Sequence, residues 1–105
     1  MVTAEIRSIA ERLGQSVNPQ KIYLFGSFAR GDERDDSDYD FYLVMPGTVT
    51  DRLAVSQNAY RSLRGLKRRS VDIVVGSVSG FDERKGRKTL ENIIAREGIV
   101  LYETG

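Results

Sequence analysis

The sequence contains no cysteine, no histidine and no tryptophan, and only two prolines among its 105 residues. Without histidine and cysteine, the chain cannot build a zinc site, an iron–sulfur centre, a disulfide framework or a catalytic pair that uses imidazole or thiolate. Catalysis, if there is any, must therefore use carboxylates, hydroxyls, lysine, arginine, backbone amides and hard metal ions.

Other absences bear on location and partners. No hydrophobic run approaches the roughly 18 residues of a membrane span, and the first residues carry charge and do not read as a targeting segment. We therefore expect a cytoplasmic protein without membrane contact. Folded domains contain roughly 100 to 150 residues, so the length predicts one domain over residues 1–105. Because 16 basic residues nearly balance 15 acidic ones, a general nucleic-acid coat is not expected.

This near balance hides two segments of opposite charge. Residues 30–40 contain six carboxylates and two arginines, whereas residues 61–69, which we call the basic block, contain five basic residues and no acid. Like charges at this density repel one another. Each segment should therefore lie in solvent or meet a partner that neutralises it.

Hydrophobic periodicity predicts a helix at residues 3–15, strands at 21–25, 39–45, 71–75 and 98–102, a helix from an N-cap at Thr50 to Gly65, and a helix from Phe81 to Gly98. The buried stripe of the second helix is predicted to be Leu53, Ala54, Tyr60 and Leu63. This order indicates an α/β (α+β) fold, in which helices cover one face of a small mixed sheet.

Side-chain alternation along the second strand separates its residues onto two faces. The apolar set should face the helices: Tyr39, Phe41 and Leu43. Asp38 and Asp40 then lie on the opposite face, about 7 Å apart, where a divalent cation would relieve their repulsion. The same alternation places Asp72 on that face of the following strand. If these strands are neighbours, three carboxylates converge.

The turn after the first strand has the character of a phosphate site. Gly26 allows a ligand to approach the backbone, and Ser27 offers a hydroxyl and an N–H at a helix start. Arg30, one turn further on, can add a guanidinium group. A phosphate site beside three carboxylates is what metal-assisted phosphoryl or nucleotidyl transfer requires.

Together, these motifs resemble the minimal nucleotidyltransferase (MNT) family of the DNA polymerase β superfamily. The resemblance consists of Gly26-Ser27, the Asp38-Tyr39-Asp40 motif ten residues later, and Asp72 within Val71-Asp72-Ile73-Val74. It covers nearly the whole chain, because residues 94–103 resemble the closing helix and strand of the family. It implies the nucleotidyltransferase fold, with helices on one face of the sheet and the active site on the other.

The resemblance also implies roles for individual residues. Asp38 and Asp40 match paired metal ligands, and Asp72 matches a third carboxylate that helps to hold the metal and accepts the proton of the attacking hydroxyl. Gly26 and Ser27 match the triphosphate-binding turn. Positions near the phosphates are matched by Arg30 and Ser37.

The implied reaction transfers AMP from ATP to an acceptor hydroxyl, with two Mg²⁺ ions, and releases pyrophosphate. Small members of the family are similar to the antitoxins of toxin–antitoxin pairs whose toxins carry a HEPN ribonuclease domain, and some such antitoxins adenylylate a tyrosine of the toxin. The expected partner is therefore a HEPN toxin. Larger members hold the acceptor with an added helical domain, so here a partner surface or a second copy of the chain is expected to do so.

Simpler interpretations apply to several of these residues. We interpret the acids that precede Asp38 as a solvated loop: Asp32, Glu33, Asp35 and Asp36. Gly26-Ser27 could be a turn and helix cap, Arg30 could offset nearby acids, and the basic block could be a solvated helix end. The aromatic residues Tyr39, Phe41, Tyr60 and Phe81 are assigned to the core.

Two alternative functions stay open. The chain could neutralise a partner by masking it, without catalysis, or it could transfer the nucleotide to a small molecule or an RNA end. Mutation of the paired aspartates separates masking from catalysis, and the salt dependence of binding tests for RNA.

Overall fold

The computed structural model describes residues 2–47, 51–66 and 68–104. Within these residues the chain forms five helices and four strands, in the order α1 (Ala4–Val17), β1 (Lys21–Phe25), α2 (Ser27–Arg30), β2 (Tyr39–Met45), α3 (Arg52–Ser62), β3 (Val71–Ser77), α4 (Val78–Arg84), α5 (Leu90–Glu97) and β4 (Ile99–Glu103). In this part of the chain every helix is too short or too polar to cross a bilayer.

The described strands form one mixed sheet in the order β3-β2-β1-β4. β1 runs antiparallel to both β2 and β4, whereas β2 and β3 are parallel. Parallel strands need a crossover connection, which α3 supplies between β2 and β3. The predicted mixed sheet and the α+β class are confirmed.

Helix α1 begins and ends at local capping contacts. The Thr3 hydroxyl accepts a hydrogen bond from the Ile6 N–H at 3.2 Å, and Asn18, with a left-handed φ of 51°, donates its N–H to the Gly14 carbonyl at 3.2 Å. The helix extends two residues beyond the predicted end at residue 15. Its buried stripe contains Ile6, Ile9 and Leu13, which pack against the sheet.

The larger core lies between one face of the sheet and helices α1 and α3. The alternate β2 residues Tyr39, Phe41 and Leu43 are all buried in it. The predicted apolar face of this strand is therefore confirmed. Val71 and Ile73 of β3 lie in the same cluster, which turns Asp72 to the other face.

Helix α3 differs from its prediction in its start and in its buried residues. Thr50 lies outside the described residues, and Asp51 is the N-cap, with its carboxylate accepting from the Ala54 N–H at 2.9 Å. The predicted burial of Leu53 and Tyr60 is wrong, because Leu53 is 68% exposed and Tyr60 is 37% exposed. The Tyr60 hydroxyl instead accepts a hydrogen bond from the Ile73 N–H at 2.9 Å, which satisfies a donor of β3.

The single helix predicted between Phe81 and Gly98 is wrong, since this segment forms two helices, α4 and α5. The reason is local capping. The Thr89 hydroxyl donates to the last carbonyl of α4, that of Arg84, at 2.7 Å and accepts from the Asn92 N–H at 3.2 Å. A side chain that ends one helix and begins the next prevents one continuous helix.

Helices α4 and α5 cover part of the second face of the sheet. Phe81 of α4 and Ile94 of α5 pack with Tyr42 and Val44, the residues of β2 that alternate with its apolar core set. The sheet therefore has a second, smaller hydrophobic cluster, on the face opposite the one that the sequence assigned to helices. The carboxylates lie on this second face, at the end where β2 begins.

Candidate active site

Asp40 and Asp72 are direct partners across the parallel strands β2 and β3. Directly paired residues point to the same face of a sheet, so the prediction that these strands bring carboxylates together is confirmed for this pair. Asp38 lies two residues before Asp40, just ahead of β2. Asp38 and Asp72 are exposed, whereas Asp40 is half-buried.

The neighbouring carboxylates act on Asp40. Burial raises the pKa of Asp40 above its ordinary value, and the negative charges of Asp72 and then Asp38 raise it further, while Arg30 acts in the opposite direction. These effects arise when like charges are close and one of them is desolvated. The site therefore concentrates negative charge around Asp40.

The donor chemistry of the site fits a divalent cation. Carboxylate oxygens are the ligands that hard cations such as Mg²⁺ prefer, and a bound cation would remove the repulsion around Asp40. Within residues 2–47, 51–66 and 68–104, however, no three acidic side chains lie close enough together to hold one ion as they stand. A shared site therefore requires their side chains to rotate toward one another, and the assignment of Asp38, Asp40 and Asp72 as metal ligands stays a prediction.

Gly26, in the predicted phosphate turn, lies directly against the Asp40 carboxylate. Its backbone has φ 74° and ψ −154°, a conformation that essentially only glycine adopts. A Cβ atom at this position would collide with the Asp40 carboxylate, whose Cγ would lie 3.1 Å away. The Gly26 carbonyl also accepts hydrogen bonds from the N–H groups of Ala29 and Arg30, each at 3.1 Å.

Ser27 begins helix α2 directly after Gly26 and is half-buried. The turn and the carboxylate Asp40 are therefore neighbours, as expected from β1 pairing with β2, where Phe25 is opposite Asp40. The role of Gly26 and Ser27 toward a triphosphate stays a prediction.

Arg30 is tied to acids on two sides. Its guanidinium lies 3.1 Å from the Asp32 carboxylate and 3.4 Å from that of Glu97 on helix α5. These contacts support the interpretation that Arg30 offsets nearby charge. Its positive charge also acts to lower the pKa of Asp40, against burial and the two neighbouring carboxylates.

Ser37 closes the turn that precedes Asp38. Its hydroxyl accepts from the Arg34 N–H at 2.8 Å, and its own N–H donates to the Arg34 carbonyl at 3.0 Å. The hydroxyl is thus used within the loop, and a phosphate contact by Ser37 stays a prediction.

Arg69 is a neighbour of the site that the sequence grouped only with the basic block. Its guanidinium donates to the backbone carbonyls of Asp35 at 2.7 Å and Ser37 at 2.8 Å. No motif in the sequence identifies such a contact, because backbone carbonyls have no residue-type signature and these two lie more than 30 positions away. Elsewhere in the basic block, Arg61, Arg64 and Arg68 are exposed, and Lys67 lies outside the described residues.

With this geometry established, the chain was compared with known proteins. The family described as "Polymerase beta, Nucleotidyltransferase" matches residues 7–105. No curated protein sequence matches.

Three solved structures share the fold. A toxin–antitoxin complex with AMP-PNP has 22% identity and a TM-score of 0.63, with 93% of this chain and 73% of that chain covered. A Sulfolobus solfataricus protein named as a nucleotidyltransferase has 24% identity and a TM-score of 0.64, with 94% and 78% covered.

The third is a mutant of the toxin–antitoxin pair MntA–HpeT in which two aspartates, two positions apart, are replaced by glutamate. It has 20% identity and a TM-score of 0.64, with 97% of this chain and 75% of that chain covered. At these identities the three structures establish a common fold.

Proposed function

This chain belongs to the polymerase beta nucleotidyltransferase family, and from that premise we propose that it transfers AMP from ATP to a hydroxyl of a partner protein in a metal-dependent reaction. The proposed partner is a HEPN-type toxin, for which the chain would be the antitoxin. The observation that carries the proposal is the pairing of Asp40 with Asp72 across β2 and β3, with the Asp40 carboxylate against Gly26.

The proposed roles follow the positions of the residues. The backbone at Gly26 and Ser27 receives the triphosphate, and Asp38 and Asp40 hold the cations beside it. Bound Mg²⁺ would neutralise the triphosphate charge and polarise the α-phosphate. Since Asp72 is exposed on the neighbouring strand, it can accept the proton of the incoming hydroxyl.

The bonds that change are those of a nucleotidyl transfer. The acceptor oxygen forms a bond to the α-phosphorus of ATP, and the bond from that phosphorus to the bridging oxygen of the β-phosphate breaks. The hydroxyl proton passes to the Asp72 carboxylate, and pyrophosphate leaves. No oxidant or reductant is needed.

The structural neighbours support the choice of nucleotide and partner. One holds AMP-PNP, an analogue of ATP, and two are toxin–antitoxin complexes. The mutant complex replaces two aspartates with the spacing that Asp38 and Asp40 have here. A HEPN toxin is proposed because the sequence resembles the antitoxins of such pairs.

Incubation with α-labelled ATP, Mg²⁺ and the product of the adjacent gene tests the transfer. We expect label in the partner protein with the native chain, and background labelling with Asp38→Asn. Asp36→Asn is the matched control, since it removes one charge from an exposed position of the same acidic segment and should label normally. Equal labelling by Asp38→Asn and the native chain contradicts the proposal, and so does a native chain that leaves the partner unlabelled. Label in added RNA or in a small molecule instead of the partner indicates that the acceptor is not a protein.

A second candidate function, masking of the partner without catalysis, is favoured by the exposed arginines of the basic block, which offer a charged docking surface. A growth assay with the toxin separates the two. If masking suffices, the double variant Asp38→Asn/Asp40→Asn still protects cells, whereas catalysis predicts loss of protection by a variant that still folds and binds.

A further inference from the structure

Arg69 lies at the entry to β3, where it contacts both the loop that carries Asp38 and the helix that follows Gly26. We propose that Arg69 is a positioning residue that fixes the 31–38 loop against α2 and thereby sets the place of Asp38 at the site. The consequence for metal binding and transfer rests on the proposed function. The contact of Arg69 with the 31–38 loop, which we call the clamp, does not depend on the proposed function and can be tested separately.

The 31–38 loop has few contacts of its own, chiefly the two hydrogen bonds between Arg34 and Ser37 and the ion pair of Asp32 with Arg30. Within it the chain forms only turns, between the end of α2 and the start of β2. Its carboxylates repel one another, because Asp32, Glu33, Asp35 and Asp36 crowd a short exposed segment. A loop of this kind needs a contact from outside to adopt one conformation.

Arg69 supplies such a contact through two hydrogen bonds from one guanidinium nitrogen. One nitrogen, Nη1, donates to the carbonyls of both Asp35 and Ser37, at 2.7 Å and 2.8 Å. Ser37 directly precedes Asp38, so the second bond fixes the backbone one residue from the predicted metal ligand.

The same guanidinium lies over two aromatic rings that contact each other. It lies 5.1 Å from the ring centroid of Phe28 on α2 and 5.7 Å from that of Tyr39 on β2, distances at which a cation is attracted to an aromatic ring. The two rings pack edge to face, with centroids 4.7 Å apart. Arg69 therefore links the loop, α2 and the start of β2 in one contact.

The backbone that carries Arg69 is itself fixed. The Arg68 N–H donates to the Glu5 carboxylate at 3.2 Å, and that carboxylate also accepts a hydrogen bond from the Tyr39 hydroxyl. On the other side, the Ser70 carbonyl accepts from the Tyr39 N–H at 2.9 Å. A guanidinium on an anchored segment can hold a loop, whereas one on a free segment would move with it.

Lysine should replace Arg69 only in part. A lysine ammonium can donate to the same two carbonyls, because both bonds come from one nitrogen. It does not stack on the Phe28 and Tyr39 rings as guanidinium does. Arg69→Met keeps an apolar stem beside the rings and removes the donors. Arg68→Met is the matched control, because it removes the same charge from the adjacent exposed side chain.

The test compares three readouts in folded native protein and in these variants. Hydrogen exchange reports the Arg34 and Ser37 amides, Mn²⁺ titration followed by electron paramagnetic resonance reports cation binding, and the transfer assay reports half-saturating Mg²⁺ and the KM for ATP. For Arg69→Met we expect faster exchange confined to the loop, and cation affinity reduced roughly 10- to 100-fold, the usual effect of losing a residue that orients a ligand. The KM for ATP should change less, and Arg69→Lys should be intermediate. Arg68→Met should match the native chain in loop exchange and in Mn²⁺ binding, the two readouts that involve no partner.

The outcomes separate the clamp from the proposed function. Unchanged loop exchange in Arg69→Met overturns the clamp, and exchange that rises equally in α1 and β1 shows a general stability role and overturns it too. Faster loop exchange with unchanged cation affinity shows that the loop does not set Asp38, which also contradicts the proposal. If the native chain binds no Mn²⁺ and transfers no nucleotide, the proposed function fails, and loop exchange alone then decides whether Arg69 is a clamp.

Discussion

Asp40 is the half-buried carboxylate of the site, and burial, then Asp72, then Asp38 raise its pKa. A raised pKa in the folded state means that the folded chain holds this proton more tightly than the unfolded chain does. The ionised form is therefore unfavourable for folding. The stability that protonated Asp40 contributes is fully present below about pH 4, the ordinary carboxyl pKa. It is lost as the pH rises through the raised pKa of Asp40.

Asp40→Asn should therefore stabilise the chain at pH 7 in the absence of metal, because it removes a desolvated and repelled charge. A gain of about 1 kcal/mol would raise the Tm by roughly 4 to 8 °C in a domain of this size. Thermal unfolding at several pH values measures this, and the advantage over the native chain should disappear toward pH 3. Asp36→Asn, at an exposed position of the same segment, should shift the Tm little, and an Asp40→Asn chain less stable than the native one at pH 7 would contradict this reading.

Gly26 and Gly31 form a matched pair at the two ends of α2, since both have positive φ, 74° and 83°. Alanine should lose roughly 1 to 2 kcal/mol of unfolding free energy at the left-handed Gly31 and roughly 1 to 3 kcal/mol at Gly26, whose backbone region is essentially restricted to glycine. Only at Gly26 would the new Cβ meet the Asp40 carboxylate, because nothing lies within 4 Å of a Cβ at Gly31. We therefore expect Gly26→Ala to lose transfer activity beyond its loss of stability, and Gly31→Ala to keep activity where it is folded.

Urea unfolding and the transfer assay give the two measurements for this pair. Equal activity of the folded variants would show that close approach of Gly26 to Asp40 is not needed for function.

At the scale of the elements, one buried contact fixes α5 on the second face of the sheet. The Tyr42 hydroxyl of β2 donates to the Glu91 carboxylate of α5 at 2.8 Å, and both residues are buried. Gly76 of β3 makes room for that hydroxyl, since a Cβ there would collide with it. Arg30 adds a bond from α2 to α5 through Glu97.

Tyr42→Phe should therefore cost roughly 1 to 3 kcal/mol, the usual penalty of leaving a buried acceptor without its donor. Tyr102→Phe, which removes a hydroxyl from the half-buried Tyr102 of β4, is the control and should cost less. Urea unfolding measures both, and a double-mutant cycle with Glu91→Gln isolates the interaction. Equal losses for the two phenylalanine variants would show that the bond to Glu91 adds nothing to docking of α5.

At the scale of the whole molecule, the acidic and basic segments of a nearly neutral chain approach each other where β2 and β3 begin, since Arg69 of the basic block donates to the Asp35 carbonyl. The acids lie around the start of β2, and the exposed arginines of the basic block lie at the end of α3 and between α3 and β3. Binding of a cation to the acidic end should therefore be linked to folding of the whole chain, because the unfolded chain does not hold the carboxylates together.

Mg²⁺ should accordingly raise the Tm of the native chain, with a gain of about 2.7 kcal/mol at a concentration 100 times its Kd. Asp38→Asn/Asp40→Asn should lose this dependence, and excess chelator should return the native chain to its metal-free Tm. Thermal unfolding across a Mg²⁺ series measures the linkage. An equal rise in the double variant would show that the cation acts elsewhere.

Sequence patterns predicted the strands and the faces of β2 well, because a period of two residues follows directly from strand geometry. They failed for the segment 81–98, where capping by Thr89 divides the helix, and for Leu53 and Tyr60, whose burial depends on how α3 packs. Capping and packing depend on neighbours in space, which hydrophobic periodicity does not contain.

The sequence by itself determined the chemistry open to this protein: with no histidine or cysteine, imidazole and thiolate catalysis are excluded, and the spacing of Gly26-Ser27 and the aspartates predicted the family. Only the tertiary structure decided that β2 and β3 are parallel neighbours with Asp40 opposite Asp72, that Gly26 lies against Asp40, and that Arg69 holds the loop before Asp38. The physical reason is that residue type and local period are properties of the chain, whereas strand order and contacts between distant residues arise only when the sheet and its helices pack together.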